Sequence, residues 1–353
     1  MDDQPGLTGD RRGRAAALRF GLIALLILML LLGLGWGAAG DTQVLAALGS
    51  KFGLAEASLR DTTIIWDIRM PRVLTAVLVG AALAVSGAVM QGLFRNPLAD
   101  PGLVGVSAGA GFGAVAAIVL GGFLPVAVLS VVGAYLVPFA AFLGGWASTL
   151  ILYAIATRGG RTSVATMLLA GIALGALTGA LTGFIVYRAT DDQLRDLTFW
   201  GMGSVAGATW MKLLTAGPVI ALGLIAAPVL ARALDALALG ESVAAHLGID
   251  TQLMKRLAIL SVALSVGASV AITGGIGFVG IVVPHVLRLL QGPEHRNLLP
   301  NCAILGAIIL LAADMISRTV VAPAELPIGI VTATMGGPFF LWILLKNRHI
   351  LDI

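Results

Sequence analysis

Side chains that commonly carry out catalysis are few in this chain, and they do not form a catalytic pattern. None of the four lysines follows a glycine, so the Gly-x-x-x-x-Gly-Lys loop that cradles nucleotide phosphates is absent. The His-Glu-x-x-His and paired-cysteine motifs of zinc sites are absent as well. The histidines, at positions 246, 285, 295 and 349, are scattered without ligand spacing. We therefore expect no catalytic residue, no metal site and no permanently bound cofactor.

Three arginines stand out because each lies at the end of an apolar segment. Arg69 and Arg72 flank Pro71 and are three residues apart, which places them on one face of a helix. Arg318 follows another apolar segment far along the chain. Arginines in such positions often extend toward water and anchor the ends of membrane helices.

A short amphipathic segment at 237–250, LALGESVAAHLGID, interrupts the apolar sequence. Gly248 is placed to stop a helix there. One interpretation is a surface helix that merely joins two membrane spans, and the other is a peg that fits the cleft of a partner. The candidate contact residues are Leu239, Gly240, Glu241, Ala244, His246 and Gly248.

The elements that position these residues are membrane helices. The 353 residues are 58% hydrophobic and only 11% charged, with a mean hydropathy of +0.99, whereas soluble domains carry about 25% charged residues. Apolar runs long enough to span a bilayer recur along the chain. We predict an all-α membrane protein with ten transmembrane helices at about 18–39, 71–93, 102–121, 135–156, 164–187, 213–231, 257–274, 278–291, 298–318 and 329–346.

The first apolar run has two interpretations. It is preceded by several arginines and ends in small residues at 37–40, as a cleaved signal peptide would. Its length of about 20 residues exceeds the ~7–15 of a signal core and favours an uncleaved span. Residues 1–17 would then form an N-terminal tail, 18–348 the transmembrane domain and 349–353 a C-terminal tail.

The distribution of basic residues predicts the orientation. With the N-terminus inside, 14 of the 22 lysines and arginines fall on the inner side and 8 on the outer side, which favours two cytoplasmic termini. The segment 79–87, VGAALAVSG, is echoed by VGASVAITG at 266–274, in a span of opposite direction. We therefore predict inverted repeats over about 69–190 and 255–348, an arrangement common in transporters, although such glycine patterns also recur by chance.

Four ordered motifs carry a specific resemblance over about 18–348. They are RMPRVLTAVLVGAALAVSGAVMQGLFRNPLADPGLVGVSAGAG, LALGESVAAHLG, GGIGFVGIVVPHVLRLL and APAELPIGIVTATMGGPFFLWILLK. The chain resembles the FecCD-type permeases, the membrane subunits of ABC importers for haem, ferric siderophores and cobalamin. The resemblance implies a type II ABC importer permease fold, a homodimer with substrate passing along its axis, two cytoplasmic ATPase subunits and a periplasmic binding protein. It also implies location in the bacterial inner membrane, with ATP used by the partner subunit and no nucleic-acid partner.

The same resemblance assigns roles to residues. It makes Arg69, Arg72 and Arg318 the receptors for glutamates of the binding protein, and it makes the segment from Glu241 to Gly248 the coupling helix seated in the ATPase. The segments at 99–111, 191–204 and 318–329 look most like those of haem permeases, and the cobalamin branch is close. Haem is therefore the expected cargo, with ferric siderophores and cobalamin as alternatives.

For the gate of the transport pathway, the sequence offers only a set of candidate residues. The fifth span begins with Thr162, Ser163 and Thr166, which suit a cytoplasmic gate and equally suit a helix start. Candidates at the outer end and in a later turn are Tyr187, Arg188, Gly274 and Gly275. Tyr187 and Arg188 would meet an anionic substrate, although an interfacial aromatic belt explains the tyrosine equally well.

Two other classes of protein fit the sequence less well. An ion-coupled secondary transporter would need an ionisable group at mid-membrane, but the middle of almost every predicted span lacks one. Asp314 and His285 come nearest, and both lie toward span ends. A membrane-embedded enzyme or receptor is disfavoured by the missing catalytic clusters and by the repeat.

Overall fold

The computed structural model describes residues 10–36 and 42–346 and is almost entirely helical there. The helices are α1 (Asp10–Gly35), α2 (Val44–Ser50), α3 (Leu59–Thr63), α4 (Met70–Phe94), α5 (Val106–Leu120), α6 (Val126–Ala156), α7 (Val164–Val186), α8 (Asp191–Met202), α9 (Trp210–Ile225), α10 (Ala227–Ala238), α11 (Glu241–His246), α12 (Thr251–Thr273), α13 (Val279–Gln291), α14 (His295–Ser317) and α15 (Ile328–Lys346). A small antiparallel hairpin, β1 (Thr157–Arg158) and β2 (Arg161–Thr162), joins α6 to α7.

A helix lies at each of the ten predicted spans, but fewer than ten of the described helices are long enough to cross a membrane. Seven described helices are long and apolar enough to cross a membrane, and the pair α9 and α10, bent by 40°, makes an eighth. Helix α13 and the apolar part of α15 are shorter than a full span. Ten crossings therefore stay a prediction, and the tail residues 347–353 lie outside the described residues.

Several helices begin more than a turn before the span that the sequence predicts. Helix α1 begins at Asp10, whereas the predicted span begins at residue 18, so the described part of the predicted N-terminal tail, residues 10–17, is helical. Helix α6 begins at Val126 instead of residue 135, and Pro138 lies inside it. The predicted end of the first span at residue 39 lies outside the described residues. Helix α8 was not predicted as a separate element; a capping box of Thr190 and Gln193 starts it.

Helices α4 and α12 form the centre of the bundle and are its two most buried candidate spans. Helix α4 crosses α14 where Gly80 meets Gly306, so closely that a Cβ on either glycine would collide with the other residue's carbonyl oxygen. Glycine thus lets two membrane helices approach to backbone contact, as is typical of lipid-embedded packing.

The two echoed segments lie in these same central helices, but their final glycines have different roles. Gly87 lies within α4 against the backbone of Gly280, whereas Gly274 ends α12 with a positive φ of 72°. The echo therefore does not extend to equivalent contacts, and the inverted repeat stays a prediction.

Two ends of the bundle can be distinguished from contacts alone. Near the start of α1, Arg19 donates to the side chains of Asn297 and Asn301 in the first turns of α14. At the end of α1, backbone carbonyls accept from Arg69 and Arg318. Arg19 and Gly33 are about 21 Å apart along α1, and Asn297 and Arg318 lie at opposite ends of α14, so these contacts mark opposite ends of the bundle.

The backbone is irregular between α12 and α13, within the depth of the bundle. Residues 274–278 connect the two helices without regular structure, and Phe278 has a positive φ of 70°. They line a cavity of about 310 Å³ together with the turn at Asp100–Gly102. Irregular backbone at membrane depth is tolerated where it is buried in protein or lines a cavity.

Candidate functional site

The three predicted docking arginines come together at the carboxyl end of α1. Arg69 Nη1 donates to the carbonyl oxygens of Leu34 and Gly35, at 2.6 and 2.9 Å. Arg318 Nη2 donates to the carbonyl oxygen of Gly33 at 2.9 Å. Cations suit this position because the last carbonyls of a helix lack partners and carry partial negative charge.

Arg72 completes this cluster through two carboxylates. Its guanidinium lies 2.8 Å from Asp314 Oδ1 and 2.9 Å from Glu325 Oε1. Asp314, in the last turn of α14, is fully buried and also lies 3.4 Å from Arg318 Nη2. We call Arg69, Arg72, Asp314, Arg318 and Glu325 the arginine cluster, and the end of the bundle that carries it the arginine end.

The arginine cluster is turned inward. The three arginines are only 4, 7 and 5% exposed, and each has internal acceptors. The side chain of Glu325 is 39% exposed and is the part of the cluster that reaches the surface. The arrangement braces α1, α4, α14 and the loop before α15; as placed, it does not offer a free guanidinium to an outside carboxylate.

The predicted coupling segment forms a short helix at the other end of the bundle. Helix α10 continues to Leu239, and Gly240 turns the chain with a φ of 119°, which favours glycine. Helix α11 then begins at Glu241 and is followed by Gly248, whose φ of 79° gives it the predicted stopping role. Asp235 of α10 binds the start of α14 through His295, which places this segment at the end opposite the arginine cluster.

Helix α11 packs by one face and exposes an apolar stripe on another. Ala244 is fully buried against the bundle, whereas His246 is exposed and its ring contacts the carbonyl oxygen of Ser242. Leu239, Val243 and Leu247 are 70, 41 and 63% exposed. Val243 and Leu247 are four residues apart and share one side of α11, whereas Leu239 precedes the turn at Gly240. Of these three, sequence reasoning named only Leu239, although the i, i+4 spacing was readable.

A buried lysine, which sequence reasoning missed, connects α11 to the predicted gate. Lys255, in the first turns of α12, is 2% exposed; its Nζ lies 2.7 Å from Glu241 Oε1. The same Nζ donates to the carbonyl oxygen of Thr162 at 3.0 Å. Thr162 N donates to Gln252 Oε1 at 2.8 Å. No sequence signal separates this lysine from an exposed one.

The predicted gate residues have different environments. Thr162 is buried in the β1–β2 hairpin, and its hydroxyl contacts that of Thr157. Ser163 caps α7 by accepting from the backbone and hydroxyl of Thr166, as the helix-start alternative expects. Tyr187 and Arg188 are exposed at the far end of α7.

Gly274 and Gly275 directly follow α12 and lie against helix α8. A Cβ on Gly274 would collide with the carbonyl oxygen of Trp200, and the backbones of Gly203 and Gly275 are in close contact. Gly203 also accepts from the backbone of Ile328, so the end of α8, the end of α12 and the start of α15 meet there. The two predicted pathway glycines thus permit close packing, and Gly275 lines the 310 Å³ cavity.

Helix α7 has the most open surface of the predicted pathway elements. Met167 is its one buried residue in the described chain. Gly175, Gly179 and Gly183 recur every four residues, and a Cβ on any of them would meet nothing within 4 Å. Small residues at this spacing allow close association of membrane helices. In the part of the chain that the structure describes, nothing packs against this row of glycines.

Comparison with known proteins gives a consistent result. Residues 22–346 match the model of the FecCD transport family. The hemin transport system permease protein HmuU of Yersinia pestis is 45% identical over 328 residues, covering 92% of this chain and 95% of that protein. The vitamin B12 import system permease protein BtuC of Citrobacter koseri is 45% identical over 331 residues, covering 93% and 94%.

A solved structure agrees with the fold. It is described as an inward-facing conformation of a transporter of the metal-chelate ABC type. The two structures superpose with a TM-score of 0.81 at 32% sequence identity, over 94% of this chain and 99% of the other. The similarity therefore covers the whole bundle and is not limited to single motifs.

Proposed function

Because this chain belongs to the FecCD transport family, we propose that it is the permease subunit of an ATP-driven importer that carries haem across the bacterial inner membrane. Membership of the family makes it an ABC importer permease of a multi-pass membrane type. Beyond this membership, we propose a cargo, two kinds of partner protein and the residues that contact them.

The observation that carries the ATPase partnership is the apolar stripe of Leu239, Val243 and Leu247. Val243 lies on the short helix α11, and Leu239 and Leu247 flank that helix; all three are exposed beyond the spans, where water would otherwise cover them. A cleft on a cytoplasmic ATPase would bury the stripe, with His246 and Gly248 at its edge. We infer that ATP hydrolysis belongs to that partner and that this chain is not itself an enzyme.

A charge introduced into the stripe tests this partnership. In a complex expressed with its ATPase, Val243→Asp should reduce co-purification of the ATPase at least tenfold, because a carboxylate cannot be buried unpaired in the cleft. Leu54→Asp is the matched control, since Leu54 is 81% exposed in the connection between α2 and α3. Equal recovery of the ATPase with both variants would contradict the assignment.

Haem is supported as cargo by the three segments that resemble haem permeases and by the Yersinia relative. The equal identity to a vitamin B12 permease makes cobalamin the second candidate. Uptake into proteoliposomes that contain the complex and its binding protein, with haem, cobalamin and a ferric siderophore in parallel, should show ATP-dependent accumulation of haem. Accumulation of cobalamin or siderophore alone would reassign the cargo and leave the importer mechanism intact.

We propose that the arginine end faces the periplasm and receives the binding protein. Docking through Arg72 requires that an outside carboxylate replace Glu325, which is the exposed partner of that arginine. Glu325→Gln removes the competing charge, so the affinity for the binding protein should rise severalfold. An unchanged affinity together with a lower unfolding temperature would show that Arg72 is only a brace.

A further inference from the structure

Lys255 links three segments that are far apart in sequence. Its ammonium group binds Glu241 at the start of α11 and the backbone carbonyl of Thr162 in the hairpin before α7. Both contacts are short, at 2.7 and 3.0 Å, and the lysine is nearly inaccessible to water at 2% exposure. The carboxylate of Glu241, by contrast, is 44% exposed and lies on the surface helix.

The burial of this charge makes the link hard to break. An ammonium group has three donors and no acceptor, and in a low-dielectric site it depends on the partners around it. Removing one partner from a buried ion pair leaves an uncompensated charge, which is strongly unfavourable. A movement of α11 away from α12 must therefore either take Lys255 and its second partner along or expose the ammonium to water.

The second partner lies directly before the helix with the open face. Thr162 is the last residue of β2, Ser163 caps α7, and α7 begins at Val164. Helix α12 holds Thr162 by both backbone groups, because Gln252 Oε1 accepts from its N–H while Lys255 donates to its carbonyl. The hairpin turns through Gly159 and Gly160, both with positive φ, so it is a tight connection that transmits displacement to α7.

We propose that Lys255 is a positioning residue that couples displacement of α11 to displacement of the first turn of α7. The proposal rests on the proposed function, in which α11 is the contact with the ATPase. It adds a defined route: carboxylate of Glu241, ammonium of Lys255, carbonyl of Thr162, then the start of α7. Loss of this route separates ATP hydrolysis from transport without removing the ATPase.

The test uses the full complex with its ATPase and binding protein in proteoliposomes, measuring ATP hydrolysis and substrate uptake together. Lys255→Met keeps the length of the side chain and removes its charge. We expect the ATPase to co-purify and hydrolysis to stay within about twofold of the parent, while substrate moved per ATP falls at least tenfold. Lys51→Met is the control, because Lys51 lies over the ring of Trp66 at the arginine end and should change neither quantity.

A purely structural role of Lys255 predicts a different result. If Lys255 only stabilises the fold, Lys255→Met lowers the unfolding temperature and the yield, but the surviving complexes move as much substrate per ATP as the parent, and the proposal is overturned. Failure of the parent chain itself to bind an ATPase would count against the proposed function instead.

Two further variants keep the test informative if Lys255→Met does not accumulate. Glu241→Gln leaves Lys255 and its contact with Thr162 in place and weakens only the contact with α11, so it should lower substrate per ATP severalfold. The exchanged pair Glu241→Lys with Lys255→Glu restores an ion pair but faces a carboxylate toward the Thr162 carbonyl. Uptake should stay low in the exchanged pair even where stability recovers, and full recovery of uptake would overturn the role of Thr162.

Discussion

At the scale of single residues, Asp314 holds the arginine cluster together. It is fully buried and lies 2.8 Å from Arg72 and 3.4 Å from Arg318. Asp314→Asn leaves two buried guanidinium groups short of negative charge, which should cost about 3–5 kcal/mol. Thermal unfolding of the detergent-solubilised chain measures this as a clearly lower midpoint.

The control for that substitution is an ion pair of the same chemistry on the surface. Arg195 and Asp192 are 68 and 88% exposed at a separation of 3.2 Å, and such pairs contribute about 0–1 kcal/mol. Arg195→Gln should therefore leave the midpoint nearly unchanged. If Asp314→Asn and Arg195→Gln lowered the unfolding midpoint equally, burial would not increase the contribution of Asp314 to stability.

The sequence identified the arginines but could not identify their partners. The sequence shows these arginines at the ends of apolar segments, and that position predicts a role at the ends of membrane helices. Their partners are carbonyls at the end of α1 and carboxylates of Asp314 and Glu325, which lie more than 240 residues from Arg72 along the chain. Long-range pairing of this kind depends on helix packing, and no local pattern encodes it. The burial of Lys255 escaped prediction for the same reason.

At the scale of elements, the crossing of α4 and α14 depends on the absence of two side chains. The Cβ of Gly80→Ala would collide with the carbonyl of Gly306, and a backbone carbonyl cannot move aside as a flexible side chain does. Overpacking of this kind costs roughly 1–3 kcal/mol or more. Gly133→Ala in α6 is the control, because a Cβ there would meet nothing within 4 Å.

The measurement for this pair is the unfolding midpoint together with the yield of folded protein. Gly80→Ala should lower both, and Gly133→Ala should leave the midpoint unchanged or raise it slightly, since alanine favours helix more than glycine does. A similar midpoint for the two variants would show that α4 and α14 separate easily, in conflict with the close crossing.

The elements themselves were largely predictable because apolar length is a local property. Helix α7 was predicted at 164–187 and lies at Val164–Val186. The differences have physical reasons: α6 begins directly after Pro125 and, with 31 residues, is longer than one crossing needs, and α9 continues into α10 through a 40° bend that hydropathy does not record. Helix α8 is amphipathic and short, so it escaped a search for spans.

At the scale of the whole molecule, the two candidate contact regions lie at opposite ends of one bundle. The arginine cluster gathers at the carboxyl end of α1, whereas α11 follows α10 near the start of α14. An importer needs this polarity, because its substrate arrives on one side and ATP is used on the other. The open face of α7 runs between the two ends, and we propose that a second copy of the chain packs against it.

Association through that face can be tested at its middle glycine. Gly179 lies between Gly175 and Gly183, and a Cβ on any of the three would meet nothing within 4 Å among the described residues. Gly179→Leu fills the space that a partner helix would occupy, so the dimer in mild detergent should dissociate at least tenfold more readily while the monomer keeps its unfolding midpoint. Light scattering coupled to size exclusion measures the first quantity. Gly21→Leu, in an equally open position of α1, is the control, and dissociation by both variants or by neither would place the dimer contact elsewhere.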